Sequence, residues 1–405
     1  MNQASPIPIL HFSNELHRGG AEEHFLQLLK RMDRSLFQPY LACTAEMREE
    51  LGPDLPADVS TCVVSVRKPS DFDGARRLAA YLQGRKIGVL HSHMFWASLH
   101  AAPVARICGV PVVIETPHLR ELWRTGWFKS RFVVDRVAGR FVDRFIAVSK
   151  ANRDYLVREK GLPARKVSVI TNGCDLEQFD CRPDQVAGRR RKDLGIDPED
   201  PVLIIVARLE PQKGHEILLN AFPEVLREFP AAKLVCIGEG SCRQGLEEQA
   251  RTLGLNKAVR FVGFQSDVVS WFVMAKASIL PSYYEGLPLA AIESMAAAIP
   301  VVASNVDGIP EVVLDGVTGR TVRPGDSIAL AHVIRELLRD PERTRRMGEM
   351  GRLHVRQNFD IRRQVELTEA LYLREWRTKC GLRSPNQQIN PDALPVRARE
   401  VKAES

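Results

Sequence analysis

Residues 281–304 read PSYYEGLPLAAIESMAAAIPVVAS, and this stretch decides the fold. The segment 278–280, Ser-Ile-Leu, predicts a short buried strand just before it. The alanine-rich run 289–298 predicts a helix that begins at Pro288, because proline is favoured at the first helical position. Such a helix presents free N–H groups and the positive end of its dipole at the sheet edge. The stretch therefore predicts a strand–turn–helix unit with an anion site at its turn.

Two glutamates flank this predicted anion site. Glu293 lies about a turn and a half into the helix, where its carboxylate reaches past the anion to a pair of hydroxyls. Glu285 stands on the turn and faces the opposite side, next to Gly286, which lacks a Cβ and lets backbone approach a ligand closely. A diphosphate between two sugars fits this arrangement, with ribose on one carboxylate and a hexose on the other.

A second motif, VARLEPQKG at 206–214, places two cations just after a predicted strand. Arg208 offers a guanidinium fork and Lys213 a mobile ammonium, which together suit a doubly charged phosphate. Such cations stabilise the charge that builds on a leaving diphosphate. The alternative to a phosphate site is a pair of solvated cations after a strand. The presence of Glu285 and Glu293 makes this alternative less favoured.

A third motif, NELHRGGAEEH at 14–24, places Gly19 and Gly20 between a strand and a helix. A glycine pair in that turn gives close backbone access to a phosphate or a sugar. Many strand–helix turns carry glycine, so this motif alone is a weak signal.

Short apolar runs alternate with amphipathic segments, and this alternation predicts parallel sheets covered on both faces. The predicted strands lie at 7–12, 41–44, 63–66, 89–91, 112–116 and 145–148, and then at 202–207, 233–238, 259–262, 278–280 and 301–304. We expect an α/β protein of two doubly wound, Rossmann-like domains, 1–180 and 181–360, that face each other across a cleft. A helix is predicted at 361–380, and the polar tail 381–405 is expected to be disordered.

Composition narrows the classes of function. The 405 residues are 44% hydrophobic and 26% charged, as in ordinary globular domains. No run approaches the about 18–20 apolar residues that cross a bilayer, and the N-terminus lacks a secretory signal pattern, so a cytoplasmic protein is predicted. The eight cysteines form no C-x-x-C pair, which favours reduced thiols over a zinc site. The net charge of +7 indicates an anionic partner, but no nucleic-acid-binding signature accompanies it.

In this order the motifs resemble the glycogen-synthase-like family of retaining glycosyltransferases (group 1, family 4), whose two-domain architecture is termed GT-B. The resemblance covers about residues 5–375. Besides the glutamate and glycine pairs it includes HSHMFWASLHA at 91–101, TPHL at 116–119, AVSKANRDYL at 147–156, TNGCD at 171–175, VGFQSDV at 262–268 and GIPEVVLDGVTG at 308–319. Thr171 stands where the family usually has proline. The resemblance also implies that helix 361–380 crosses back to the first domain.

The resemblance implies a role for each motif residue. Glu293 holds the ribose hydroxyls, Glu285 contacts the transferred sugar, and His118 lies near that sugar and the acceptor. The diphosphate is bound by Arg208 and Lys213 with the backbone of Gly19, Gly20, Gly286 and Leu287. The base is bordered by Gly238, Gly240, Val262, Gly263 and Phe264.

The predicted activity is therefore retaining transfer of a hexosyl-type sugar from a nucleotide sugar, with UDP favoured, to a glycan or lipid-linked acceptor. Cell-surface polysaccharide or glycolipid synthesis is the expected context. The family is thought to retain configuration by front-face attack, in which the departing phosphate oxygen assists deprotonation of the acceptor. The alternatives are a sugar-nucleotide epimerase of the same fold and a non-catalytic sugar-nucleotide-binding protein. The segment GEGSCRQG at 238–245 only faintly matches a dinucleotide fingerprint, because its third glycine is displaced.

No catalytic metal is expected. Asp71 and Asp73 match the D-x-D of metal-dependent glycosyltransferases, but they open a predicted helix, where carboxylates suit the dipole. His91 and His93, together with His100 and His118, are predicted to line the cleft without binding zinc, because the first two are expected on opposite faces of their strand.

The segment 120–144 mixes aromatic and basic residues in the acceptor-side domain. Trp123, Trp127, Phe128 and Phe132 lie among seven Arg or Lys residues and only three acids. Such a mixture is typical of a helix that rests on anionic lipid, although packing within its own domain is an equal alternative. Peripheral contact with the cytoplasmic face of a membrane is therefore one expectation.

Overall fold

The computed structural model describes residues 5–65, 71–121, 132–180 and 184–381. The first half contains seven strands, which are β1 Ile7–Phe12, β2 Phe37–Cys43, β3 Ser60–Val63, β4 Val89–His93, β5 Val112–Thr116, β6 Arg144–Ala147 and β7 Val167–Val169. They form one parallel sheet in the order β3-β2-β1-β4-β5-β6-β7. Its helices are α1 Gly20–Arg31, α2 Ala45–Leu51, α3 Phe72–Gly84, α4 Phe95–Ile107, α5 Phe132–Ala138 and α6 Lys150–Asp154.

The second half repeats this design. Its strands are β8 Val202–Val206, β9 Lys233–Ile237, β10 Val259–Phe261, β11 Ala277–Leu280, β12 Val301–Ser304 and β13 Gly319–Val322. They form a parallel sheet in the order β10-β9-β8-β11-β12-β13. The helices are α7 Asp184–Asp193, α8 His215–Glu228, α9 Arg243–Thr252, α10 Val269–Phe272, α11 Leu289–Ala296, α12 Ile309–Val312, α13 Ser327–Arg339, α14 Pro341–Asn358 and α15 Ile361–Lys379.

The predicted fold class is confirmed, since two doubly wound parallel sheets are present. The sequence-based expectation omitted β7 and β13, and it placed the third strand at 63–66, whereas β3 ends at Val63. Residue 66 and the tail from 382 onward lie outside the described residues.

The continuous apolar run of β8 shows why the sheets are covered on both faces. Val202 and Ile204 pack into one core cluster, whereas Leu203 and Ile205 pack into another. Alternate residues of a strand point to opposite faces, so a strand with helices on both sides needs apolar residues at every position.

The last helix, α15, packs against the N-terminal sheet. Tyr372 is fully buried with Ile9, Val89 and Val112, and its hydroxyl lies 2.5 Å from His91 Nδ1. A Cβ on Gly88 would lie 2.4 Å from the ring of Trp376. The chain thus returns to the first sheet after it has completed the second.

Two further expectations concern thiols and membrane spans. The described cysteines, which are Cys43, Cys62, Cys108, Cys174, Cys236, Cys242 and Cys380, are all free thiols. Among the described helices, none combines the length and the apolarity that a bilayer crossing requires.

Tyr372→Ala is expected to lower the free energy of unfolding by about 3–5 kcal/mol, because it leaves a large cavity between α15 and the sheet. Urea denaturation followed by tryptophan fluorescence measures the change. Leu353→Ala, at a position that is 54% exposed on α14, is the control and should change stability by less than about 0.5 kcal/mol. Equal stability of the two variants would contradict the packing role of α15.

Candidate functional site

The turn between β11 and α11 lies against the N-terminal domain. The helix α11 begins at Leu289, at the start of the predicted run 289–298, and Pro288 is its N-cap residue instead of its first helical residue. A Cβ on Gly286 would lie 1.8 Å from the carbonyl oxygen of His118 and 3.3 Å from a methyl group of Val148. Only glycine fits such a backbone approach, so this turn is a point of direct contact between the two domains.

Glu285 is buried and held by three hydrogen bonds. Its Oε1 accepts from Lys213 Nζ at 2.6 Å and from Ser282 Oγ at 2.8 Å. Its backbone N–H donates to Asp307 Oδ2 at 3.0 Å. Glu285 and Lys213, predicted for different groups of the donor, are therefore an ion pair in the structure, with the carboxylate 4% and the lysine 19% exposed.

The loop after β8 carries Lys213 to this position. Gly214 has φ of +64°, and a Cβ there would lie 2.2 Å from the carbonyl oxygen of Pro281, so glycine is required on both counts. Gln212 Nε2 donates to Tyr284 O at 2.8 Å. These contacts hold the lysine loop and the glutamate loop together, as neighbouring strand ends of a parallel sheet allow.

His215 follows this loop and was not predicted as a site residue. It is buried at the start of α8, and neither ring nitrogen hydrogen-bonds to a described residue. Burial, with the charge of Lys213, lowers its pKa to about 4. The side chain is therefore neutral near pH 7.

Arg208 lies at the domain interface. Its side chain is exposed and forms no ion pair with a described residue. A Cβ on Gly19 would be 3.7 Å from Arg208 Nε, and one on Gly20 would be 3.9 Å from Leu289 Cδ1. The predicted glycine turn therefore faces both the predicted diphosphate cation and the first residue of α11.

Glu22 is a site residue that the sequence reasoning missed. It is buried on α1, and burial, helped by the charge of Glu15, raises its pKa to about 7, against the opposing effect of Arg208. Its position behind the Gly19–Gly20 turn was readable from the sequence, but its closeness to Arg208, from the other domain, was not.

Glu293 faces the first domain from α11. Burial raises its pKa to about 7, and the charge of Glu23 on α1 adds to the shift. The same carboxylate contributes to the raised pKa of the buried Cys174 thiol. The Glu293 carboxyl group thus faces α1 with a pKa that is raised toward neutral pH.

The residues predicted to border the base also lie at strand ends. Gly238 N donates to Gly263 O at 2.9 Å, which joins the loops after β9 and β10. Gly240 packs on the backbone of Leu209, and Val262 is half-buried while Phe264 is 56% exposed. Phe264 therefore presents an accessible aromatic ring at the same sheet edge.

His118 follows β5 and is buried in a group of histidines. The ring of His93 is stacked on it, with His93 Nδ1 3.4 Å from His118 Nε2, and the His24 ring centroid lies 4.8 Å away. Burial holds the pKa of His118 well below its usual value, so the imidazole is neutral at pH 7.

The prediction that His91 and His93 point to opposite faces is wrong. Both side chains are buried, and their ring centroids are 4.3 Å apart. The residues are two positions apart on β4, and alternate residues of a strand share a face.

Asn172 connects the domains and was predicted only as part of a motif. Its Nδ2 donates to Leu287 O at 3.3 Å, while its Oδ1 lies 2.9 Å from His24 Nδ1. The backbone of the predicted diphosphate turn is thereby tied to the first domain.

The structure gives different outcomes for two further sequence patterns, the Asp71 carboxylate and the aromatic segment 120–144. The capping role of Asp71 is confirmed, since its Oδ1 accepts from Gly74 N at 3.0 Å at the start of α3. Of the aromatic segment, Phe132 is described, whereas Trp123, Trp127 and Phe128 lie outside the described residues. Arg120, expected among the lipid-facing cations, forms ion pairs with Glu159 and Asp307 instead.

Two family models match the chain, "Glycosyl transferases group 1" over residues 187–354 and "Glycosyltransferase Family 4" over residues 18–178. The glycogen synthase of Mycobacterium tuberculosis is 32% identical over 342 residues, which are 80% of this chain and 79% of that protein. A D-inositol 3-phosphate glycosyltransferase of Streptomyces avermitilis is 31% identical over 287 residues, 66% of this chain and 61% of that protein.

Among solved structures, the Anabaena protein HepE in complex with UDP and glucose superposes with a TM-score of 0.79. The match covers 90% of this chain and 99% of that protein at 21% identity, which supports the GT-B fold. The chain therefore belongs to the group 1, family 4 glycosyltransferases and is an enzyme of that class.

Proposed function

We propose that this glycosyltransferase moves a hexosyl-type sugar from a nucleotide diphosphate donor, with retention of configuration, to a glycan or lipid-linked acceptor. The observation that carries the proposal is the position of Arg208. It is an exposed guanidinium without an ion-pair partner among the described residues, and it faces the Gly19–Gly20 turn, which also lies against Leu289 at the start of α11.

The diphosphate is the group that this position recognises. Arg208 supplies a fork of donors, the turn at Gly286 and Leu287 supplies backbone at the start of α11, and Gly19–Gly20 supplies backbone from the other domain. Lys213 lies next to them in its pair with Glu285. Charge develops on the diphosphate as its bond to the sugar breaks, so these fixed donors stabilise the transition state more than the ground state.

The two carboxylates bind the two sugar units of the donor, one each. Glu293, close to the first domain, accepts from the ribose hydroxyls. Glu285 contacts hydroxyls of the transferred sugar, and His118, whose backbone packs on Gly286, lies on the acceptor side of that sugar. Val262, Gly263 and Phe264 border the base with Gly238 and Gly240. UDP is the favoured nucleotide, and HepE, a structural neighbour, was solved with UDP and glucose.

Retention follows if the acceptor attacks from the face that the diphosphate leaves. The departing phosphate oxygen takes the acceptor proton, so no enzyme carboxylate acts as a nucleophile. Arg208, Lys213 and α11 supply the positive charge, and no catalytic metal is part of the proposal. Asp71 is already engaged as a helix cap.

We propose that the acceptor binds to the N-terminal domain, and exposed apolar side chains on α4, α5 and the following turn favour a lipid-linked acceptor. They are Trp96, Ile107, Val133, Val134, Val137 and Phe141. Arg136 and Arg140 are exposed in the same segment as the last four. Cell-surface polysaccharide or glycolipid synthesis at the cytoplasmic leaflet is the context that we propose.

Turnover is expected only when donor and acceptor are both present. A thermal-shift screen of UDP, GDP and ADP sugars selects the donor, because a bound ligand raises apparent stability. Nucleotide release is then measured with candidate acceptors, and NMR of the product gives the anomeric configuration. A donor epimer formed without acceptor would identify an epimerase, and binding without any turnover would identify a non-catalytic protein. Inversion at the anomeric carbon would contradict the retaining mechanism.

Arg208→Ala and Lys213→Ala are each expected to lower kcat roughly a hundredfold or more at saturating donor, as for loss of other transition-state donors. Arg227→Ala, at an exposed position on α8 of the same domain, is the control. Circular dichroism must accompany Lys213→Ala, because that change leaves a buried carboxylate without its cation. Activity in excess EDTA should be unchanged, and near-normal kcat in the double variant would refute the role of these cations.

Donor affinity is expected to rise between pH 6 and pH 8. The pKa of Glu293 is raised to about 7, so the ionised form that accepts two ribose hydroxyls becomes populated only as the pH passes that value. Calorimetry in wild type and Glu293→Gln isolates this effect, since titration of the donor phosphates is common to both. Glu293→Ala should cost about 1.5–3 kcal/mol of binding at pH 8. An identical pH dependence in wild type and the Gln variant would exclude the ribose role.

The protein is expected to sediment with anionic vesicles at low salt, because each basic residue near such a surface adds about 1 kcal/mol of binding. The bound fraction should fall sharply at high salt or with neutral lipid. Changing Val133 and Val137 to Ser should reduce it. Ile328→Ser, at a position that is 82% exposed on α13 of the other domain, should not. Absence of vesicle binding in the wild type would favour a soluble acceptor.

A further inference from the structure

Five buried histidines lie together at the carboxyl edge of the N-terminal sheet, next to the donor turn. They are His11, His24, His91, His93 and His118. The function proposed above uses only His118. The remaining histidines come from three different elements, β1, α1 and β4, and their convergence at one point requires a separate explanation.

Three of these histidines have the geometry of a metal site. One ring nitrogen from each of His24, His93 and His118 lies within 4.8 Å of the others. His93 Nδ1 and His118 Nε2 are 3.4 Å apart. Tetrahedral Zn²⁺ with Zn–N bonds of about 2.0–2.1 Å holds its nitrogens roughly 3.3 Å apart. The His93–His118 pair therefore already has the required spacing, and the His24 nitrogen must move closer to both to complete the set.

The other nitrogens of His24 and His93 have partners that suit metal ligands. The Asn172 amide donates to Leu287 O, so its oxygen is the atom 2.9 Å from His24 Nδ1, and it accepts from His24 in the tautomer that carries its proton on Nδ1. His93 Nε2 is 3.0 Å from His11 Nδ1. Ligating histidines typically donate their second ring N–H to such a partner.

In this arrangement the buried ring nitrogen His24 Nε2 has no hydrogen-bond partner among the described residues. Gln364, whose amide oxygen accepts from Gly173 N, places its Nε2 2.9 Å from the same His24 Nδ1 and donates to it in the other tautomer. His24 Nε2 has no described partner in either tautomer, and a metal on this nitrogen selects the tautomer that donates to Asn172. An unsatisfied buried nitrogen costs about 1–3 kcal/mol, and coordination of a cation removes that cost.

The neighbouring trio of His11, His91 and His93 is a weaker candidate. His91 uses both ring nitrogens, since Nδ1 lies 2.5 Å from Tyr372 Oη and Nε2 lies 2.7 Å from Thr116 Oγ1. No lone pair of His91 is left for a metal. The available site is therefore the trio on the side of the donor turn.

We propose that His24, His93 and His118 form a three-histidine Zn²⁺ site and that Zn²⁺ bound there inhibits sugar transfer. The fourth position of the tetrahedron is left to water, as in open zinc sites. Burial lowers the pKa of all three imidazoles, so the neutral form that a metal needs is present at pH 7. Inhibition rests on the role proposed for His118, whose Nε2 the metal occupies, whereas binding does not.

Co²⁺ titration of the metal-stripped full chain tests the site. We expect one equivalent to give the visible absorption of tetrahedral Co²⁺ without the near-ultraviolet band of a thiolate ligand, and Zn²⁺ to displace it. His24→Gln should weaken Zn²⁺ affinity at least tenfold. His332→Gln, at an exposed histidine of α13, is the control and should leave it unchanged.

Three results would overturn the metal site, and a fourth would overturn its inhibitory role. A thiolate band would assign the metal to cysteines, and the absence of stoichiometric tetrahedral binding would show a plain hydrogen-bond network. Wild-type ¹⁵N spectra in which Zn²⁺ moves no histidine nitrogen would do the same without any variant, should His24→Gln fail to fold. Stoichiometric Zn²⁺ binding that leaves transferase activity intact would overturn the inhibitory role but would still support the metal site. Donor turnover measured in EDTA, with no metal bound, tests the proposed transferase function independently of the metal site.

Discussion

The backbone of Gly286 lies against the carbonyl of His118, so close that a Cβ would stand 1.8 Å from the oxygen. No side chain separates the two domains at this point. The other hydrogen bonds and ion pairs between the domains require the two backbones to lie this close together. Asp307 receives the Glu285 N–H and also pairs with Arg120. Glu311 accepts from the backbone of residues 150 and 151. The turn that carries the predicted donor site is therefore also the joint between the domains.

The fold was largely predictable because its information is local. A strand buried on both faces must be apolar at every position, as in β8, and such runs are visible without partners. The strands that were missed, β7 and β13, have three and four residues with polar positions among them. They lie at sheet edges, where one neighbour is absent and the demand for apolar residues is weaker.

The site was predictable only where it follows strands. Arg208, Lys213, Glu285 and Gly286 come directly after β8 or β11, and parallel topology brings such residues to one edge. Glu22 and Asn172 act through residues of the other domain, and no spacing in the chain encodes that meeting. The error over His91 and His93 had a different origin, since the strand period itself gives them a common face.

The charge state of the site follows from which groups have partners. Glu285 has Lys213, and this pair contributes no net charge. Neither Glu22 nor Glu293 forms an ion pair with a described residue, and burial raises their pKa values to about 7, in Glu22 against the opposing charge of Arg208. The nearby histidines are held neutral by burial. Arg208 and the start of α11 are thus left as the dominant positive features, and this charge balance suits the diphosphate of the proposed donor.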